Sequence, residues 1–277
     1  MDDRPHSFLT AVRRHTRPAD ALALSVVPLV LLAVYALPAA TKERLALSYA
    51  DPSALSLYTM HFVHFRLTHL LTNLVSYAIA ASVVFLLCAL SRRRKRFYAT
   101  LCVFLFAFPL VVSLLNVALV RPRLGYGFSG LNVAFFGFLP VALLGYVGDR
   151  FTTDVTLDHA PLLFFLGAGT IALFAAPRTL PGYTASSLAG VSCALYGRSL
   201  LDDLTELSLA GFRRALDPAG YLELAAFALT VFVLFPFAAF PNDVLHEGVL
   251  VNVYVHLLGY CLGYIAPWVT FRVVDLD

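Results

Sequence analysis

The stretch Leu124–Gly148, LGYGFSGLNVAFFGFLPVALLGYVG, runs for 25 residues without a charge between Arg123 and Asp149. Crossing about 30 Å of hydrocarbon takes roughly 20 residues of helix, so this run is long enough to span a membrane. The rest of the chain has the same character. Of its 277 residues, 60% are hydrophobic and 13% charged, with a mean hydropathy of +0.79. That composition excludes an ordinary soluble domain. Charge-poor runs of spanning length also cover 21–41, 67–91, 97–120, 159–177, 224–242 and 248–271. An eighth, 179–197, is weaker because it holds Pro181, Gly182 and several serines.

The expected fold is therefore all-α, a polytopic bundle of about eight spans. Residues 1–20 form an N-terminal tail, 21–271 the membrane domain and 272–277 a C-terminal tail, with no soluble domain appended. The first apolar run is full length and lacks a cleavage site, so it reads as a retained helix rather than a signal peptide. Lys and Arg favour cytoplasmic loops, and SRRRKR at 91–96 is the strongest such signal. It reads as a topology anchor rather than a nucleic-acid patch, and no nucleic-acid partner is expected. Both tails then lie in the cytoplasm. Cys88, Cys102, Cys193 and Cys261 all sit in apolar runs without CxxC spacing, which suggests core fillers and no disulfide or metal site. The loop 42–66 is apolar enough to lie along the bilayer. The segment 198–223 spaces Leu200, Leu201, Leu204 and Leu207 like an interfacial helix.

Polar side chains in hydrocarbon are costly, which makes each a candidate for function. Three clusters stand out. His69 and Asn73 are four apart and share one helix face; standing alone, they would read as an interhelical hydrogen-bonding pair. Ser129 lies near the start of its helix behind GYGF, whose glycines permit irregular backbone. Gly130, Ala134 and Gly137 follow it as a smooth stripe, and Gly127 completes a GxSG. In the last span His256, Gly259 and Gly263 share a face, so the two stripes can meet. His61 and His64 receive no role. A helix N-terminus offers free amides to a developing anion, and a serine hydrolase needs a nucleophile, a base and such donors. The second and fourth spans start on the same side. For His256 to join them, an odd number of crossings must separate residues 148 and 248.

In these motifs the sequence resembles the rhomboid family of intramembrane serine proteases: His69 to Asn73 as HxxxN, Gly127 to Gly130 as GxSG, and His256 to Gly263 as HxxGxxxG. The resemblance covers roughly 200 residues. It implies a six-helix core, with two extra helices falling within 159–242, and a serine endopeptidase acting through a Ser129–His256 dyad without a third acidic member. The oxyanion would be held by the Ser129 amide, Asn73 and His69. Substrates would be transmembrane segments of other proteins, cut near the outer face of the cell membrane, with no cofactor or metal; the oligomeric state is left open. A catalytically silent relative that binds membrane helices is the alternative. Asn132 adds an unexpected amide beside the site, the first outer loop has no clear Trp-Arg pair beyond Arg66 and Tyr58, and two further features depart from the family pattern. Val133 stands where an aromatic ring usually supports the histidine, with Tyr260 or Tyr254 as possible replacements, and three helices rather than one separate serine from histidine.

Overall fold

The computed structural model describes residues 7–118, 124–204, 219–241, 245–246 and 249–276. In chain order the helices are α1 (Phe8–His15), α2 (Pro18–Tyr35), α3 (Ala39–Leu45), α4 (Ala54–Thr59), α5 (Leu67–Leu90), α6 (Arg94–Cys102) and α7 (Phe108–Val117). They are followed by α8 (Ser129–Arg150), α9 (Ala160–Ala175), α10 (Leu180–Asp203), α11 (Tyr221–Ala239) and α12 (Val253–Val273). Among the described residues, seven helices are long and apolar enough to cross a membrane: α2, α5, the continuous Arg94–Val117 rod, α8, the Leu157–Ala175 segment, α11 and α12. The chain is a multi-pass helical membrane protein.

Burial ranks these helices. The most apolar window of α8 is 89% buried, against 17% for α2. Small residues give α8 a narrow profile, and it lies against α5, α7, α9, α11 and α12. The rod of α6 and α7 contains a π-helical turn at Val103–Ala107. Its cause is Pro109, which has no amide hydrogen and crowds the carbonyl four residues back. That carbonyl, of Leu105, instead accepts the Tyr58 hydroxyl at 2.9 Å. One turn on, Pro109 O and Ser113 Oγ lie 3.0 and 2.9 Å from His61 Nε2. The kink thus pins residues 58–61, which lead into α5.

The expected weak span 179–197 forms the first part of α10, which continues to Asp203. Arg198 and Asp202, 3.7 Å apart, make an i,i+4 pair there. Its serines, threonine and glycines keep it out of the seven apolar helices. It nonetheless runs antiparallel to α9 over its length. A Gly169 Cβ would meet Ala189 at 3.2 Å, Phe165 stacks on Tyr196, and His159 at the head of α9 pairs with Asp203 at 2.9 Å. The rest of the expected interfacial helix lies mostly outside the described residues.

Charged contacts gather at one end of the bundle. There Arg93 pairs with Asp149 at 2.9 Å, Arg150 donates to Leu90 O and lies over the Tyr221 ring, and Asp20 accepts the Tyr98 hydroxyl. Tyr146 donates to Tyr221 O at 3.0 Å, so α11 begins at this end. The other end carries Ser129, His69 and His256.

Candidate active site

Ser129 is the first residue of α8, and Asn132 N donating to Phe128 O is the first helical bond. The amides of Ser129, Gly130 and Leu131 therefore have no acceptor within the helix. The approach to Ser129 is held from two sides. Strand β1 (Leu47–Ser48) pairs antiparallel with β2 (Leu124–Gly125), and Gly127 N donates to Met60 O at 2.9 Å. Gly127 has φ +111°, a region that strains any L side chain. It also has no room for one: a Cβ there would come 2.7 Å from His69 Cε1 and 3.0 Å from its Nε2. The His69 ring thus lies over the turn that delivers Ser129. Phe128, fully buried against Phe62 and Tyr77, anchors that turn below.

α8 and α12 run parallel in backbone contact. A Cβ on Gly130 would meet Val255 Cγ1 at 2.4 Å, one on Gly259 would meet Gly130 O at 2.1 Å, and one on Gly263 would meet Ala134 O at 2.2 Å. A Cβ on Gly137 would meet Tyr260 O at 2.2 Å. The two glycine stripes do meet. Val255 and Gly259 bracket His256, so its turn of α12 faces the first turn of α8. No hydrogen bond joins Ser129 to His256; catalytic pairs without substrate are commonly looser than in the reacting complex. The parallel order of α8 and α12 fits three helices running between them, as the crossing argument required.

His256 is 7% exposed, and its Nδ1 lies 2.6 Å from Ala239 O. A carbonyl only accepts, so Nδ1 carries the hydrogen and Nε2 of the neutral ring keeps its lone pair. The ring's aromatic neighbour is Phe240, edge-on at 5.9 Å. Tyr260, one of the two rings considered from sequence, instead stacks on Phe164 and donates to Phe164 O. Val133 is buried in the core.

Asn73 occupies the centre of an amide network. Its Oδ1 accepts from Asn132 Nδ2 at 2.9 Å, while its own Nδ2 reaches His69 O and His64 Nε2, each at 3.0 Å. Both amide hydrogens are engaged, so Asn73 can serve an oxyanion only by sharing or releasing His64. That histidine, given no role from sequence, is buried, packs edge-on against His69 at 4.9 Å and has Nδ1 3.3 Å from Phe62 O. Burial, reinforced by the charge of His69, pushes the His64 imidazole down to about 3. It is therefore neutral at ordinary pH and accepts from Asn73. Its one signal in the sequence is the density of His61, His64 and His69 within nine residues, across the junction of the 42–66 loop and the span that follows.

A further chain ties the loop to α12. Asn116 Nδ2 donates to the Tyr49 hydroxyl at 2.6 Å, Asn252 Nδ2 donates to Asn116 Oδ1 at 3.0 Å, and Asn252 Oδ1 caps Val255 N at 3.2 Å. The Tyr49 ring also packs on Gly125. One tyrosine is thus in contact with the approach to Ser129 and linked through Asn116 and Asn252 to the start of α12. Among the described residues, no group of three or more His, Cys, Asp or Glu side chains could hold a metal ion.

No family model, curated protein or solved structure matches this chain.

Proposed function

We propose that this protein is an intramembrane serine endopeptidase of rhomboid type, and that it cleaves transmembrane segments of other membrane proteins. Its nucleophile is Ser129 and its base His256. The observation carrying this reading is the glycine contact between α8 and α12, which presses the turn bearing His256 against the turn bearing Ser129. Two further features support it: Nε2 of His256 is left as the free lone pair, and the amides of the first turn of α8, which have no acceptor within the helix, lie beside the serine.

In the reaction, Ser129 Oγ attacks the scissile carbonyl as its proton passes to His256 Nε2. The Ser129 amide holds the oxyanion, joined by His69 and by an Asn73 hydrogen given up by His64; one such donor is typically worth about 10²–10³ in rate. His256 returns the proton to the leaving amine, and water then releases the acyl group. Substrate helices reach the site from the bilayer. The concentration of arginines at the opposite end of the bundle supports a cytoplasmic position for that end, with the site toward the outer face.

The experiment is labelling of the full chain in lipid nanodiscs with a serine-reactive fluorophosphonate, with the modified residue located by mass spectrometry. Ser129 takes the label, Ser129→Ala abolishes it and His256→Ala slows it strongly. Labelling that is the same in all three chains refutes the proposal. A folded wild-type chain that takes no label favours the silent, helix-binding alternative.

A further inference from the structure

A serine–histidine pair needs something to hold the imidazole in the right tautomer, and in the Ser-His-Asp arrangement a carboxylate does this. Among the described residues, no carboxylate bonds the His256 ring. Its Nδ1 instead meets the carbonyl of Ala239, at the C-terminal end of a different helix, at 2.6 Å. That carbonyl is available for a reason readable in the chain. α11 ends at Ala239 because Pro241 has no amide hydrogen and disfavours the helical conformation for Phe240, whose φ and ψ are −126° and 69°. The last carbonyls of a helix lack helical donors and carry the negative end of its dipole. Ala239 supplies one of them to a ring that becomes a cation when it takes the serine proton. Phe240, the residue at the break, supplies the ring edge against the same imidazole.

We propose that the Ala239 carbonyl is the orienting third member of the Ser129–His256 pair, so that His256 is a competent base only while α11 is seated on α8 and α12. This role rests on the protease reading. The seat is aromatic: Phe235 of α11 stacks on Phe136 of α8 at 4.9 Å and 8°, and lies 5.3 Å from Tyr260 of α12. A shift of α11 by about 1 Å takes Nδ1 and the carbonyl beyond hydrogen-bonding distance. His256 then loses the bond that fixes its tautomer. Displacement of α11 thereby switches off the base without moving either catalytic residue.

The test replaces the amide between Ala239 and Phe240 by an ester, introducing phenyllactic acid at position 240 of the full chain. The Phe240 ring is kept and the Ala239 carbonyl becomes a weaker acceptor. The helical bond from Phe240 N to Pro236 O is also lost, so an ester between Ala238 and Ala239 serves as the control for a missing helical bond. Two readouts are taken in nanodiscs: the ring ¹⁵N resonances of His256, assigned by their absence in His256→Gln, and the rate of fluorophosphonate labelling at Ser129.

The unmodified chain and the control show one tautomer with hydrogen on Nδ1, and label at equal rates. The 239–240 ester shows mixed tautomers and labels roughly tenfold more slowly, a share of the about 10²–10⁴ that a positioned base contributes. Unchanged tautomer and rate in the 239–240 ester overturn the role of Ala239 while leaving the protease reading intact. Equal losses in both esters overturn it as well, because they report only a loosened helix. Failure of the unmodified chain to label overturns the protease reading, and this role with it.

Discussion

Gly263→Ala probes the contact on which the site depends. A Cβ at residue 263 would stand 2.2 Å from Ala134 O and 2.6 Å from Ala134 Cα, and both obstacles belong to backbone that no side-chain rotation can clear. Restoring ordinary contact requires α12 to move away from α8 by about 1 Å, and such overpacking typically costs about 1–3 kcal/mol. Alanine's better helix propensity returns at most about 1 kcal/mol, so the net effect is destabilising. The kinetic effect is larger, because a misplacement of about 1 Å can cost about 10² in rate. The assay pairs the labelling rate of Ser129 with thermal unfolding in the same nanodiscs. Gly190→Ala is the control: Gly190 lies on α10 with nothing within 4 Å of its Cβ position, and its variant should unfold and label as the parent does. Wild-type labelling by Gly263→Ala, or an equal loss in Gly190→Ala, would show that the α8–α12 seam does not set the position of the site.

Other perturbations test neighbouring parts of the account. Asn132→Leu removes the donor that fixes Asn73 Oδ1 and should slow labelling by roughly tenfold, a fraction of the about 10²–10³ carried by a single oxyanion donor; unchanged kinetics would show that Asn73 needs no such support. His61 and His64, both outside the spans, are pushed down by burial to about 4 and about 3 from 6.5. The unfolded chain binds protons there that the folded chain refuses, so stability is complete above about pH 6.5 and falls as pH drops toward 4. Thermal unfolding should follow that slope, and His64→Gln should flatten it; a Tm independent of pH between 7 and 4.5 would contradict the burial of these rings. At the opposite end, Asp20→Ala leaves the Tyr98 hydroxyl without its acceptor and removes the carboxylate that lies 3.4 Å from Arg94. A loss of about 1–3 kcal/mol with labelling per folded molecule unchanged is expected, and a selective loss of labelling would speak against a purely structural role.

The spans were legible because hydrocarbon demands a long uncharged helix, and each of the seven apolar helices overlaps a run seen in the sequence. The glycine seam was legible too: Gly130, Ala134 and Gly137 repeat at helical spacing, as do Gly259 and Gly263, and only backbone contact makes use of such repeats. What escaped depends on how helices rotate and where loops travel. Nothing in the sequence places Ala239 beside His256, because a backbone carbonyl has no residue type to announce it. Phe240 is one of 23 phenylalanines, and its place follows from the break before Pro241. His64 stood in a presumed surface loop until the Pro109 kink drew that loop into the bundle. α10 outran its expected end at 197 because its helical pattern continues through Arg198 and Asp202 beyond the apolar run.

In the proposed reaction Ser129 and His256 act as one unit. An experimental structure of the chain in lipid, with the phosphonate bound to Ser129, measures this directly. His256 Nε2 is expected within about 3–4 Å of Ser129 Oγ or of the phosphonate oxygen, with Nδ1 still on Ala239 O. A His256 ring turned away, beyond reach even through one bridging water, would contradict it.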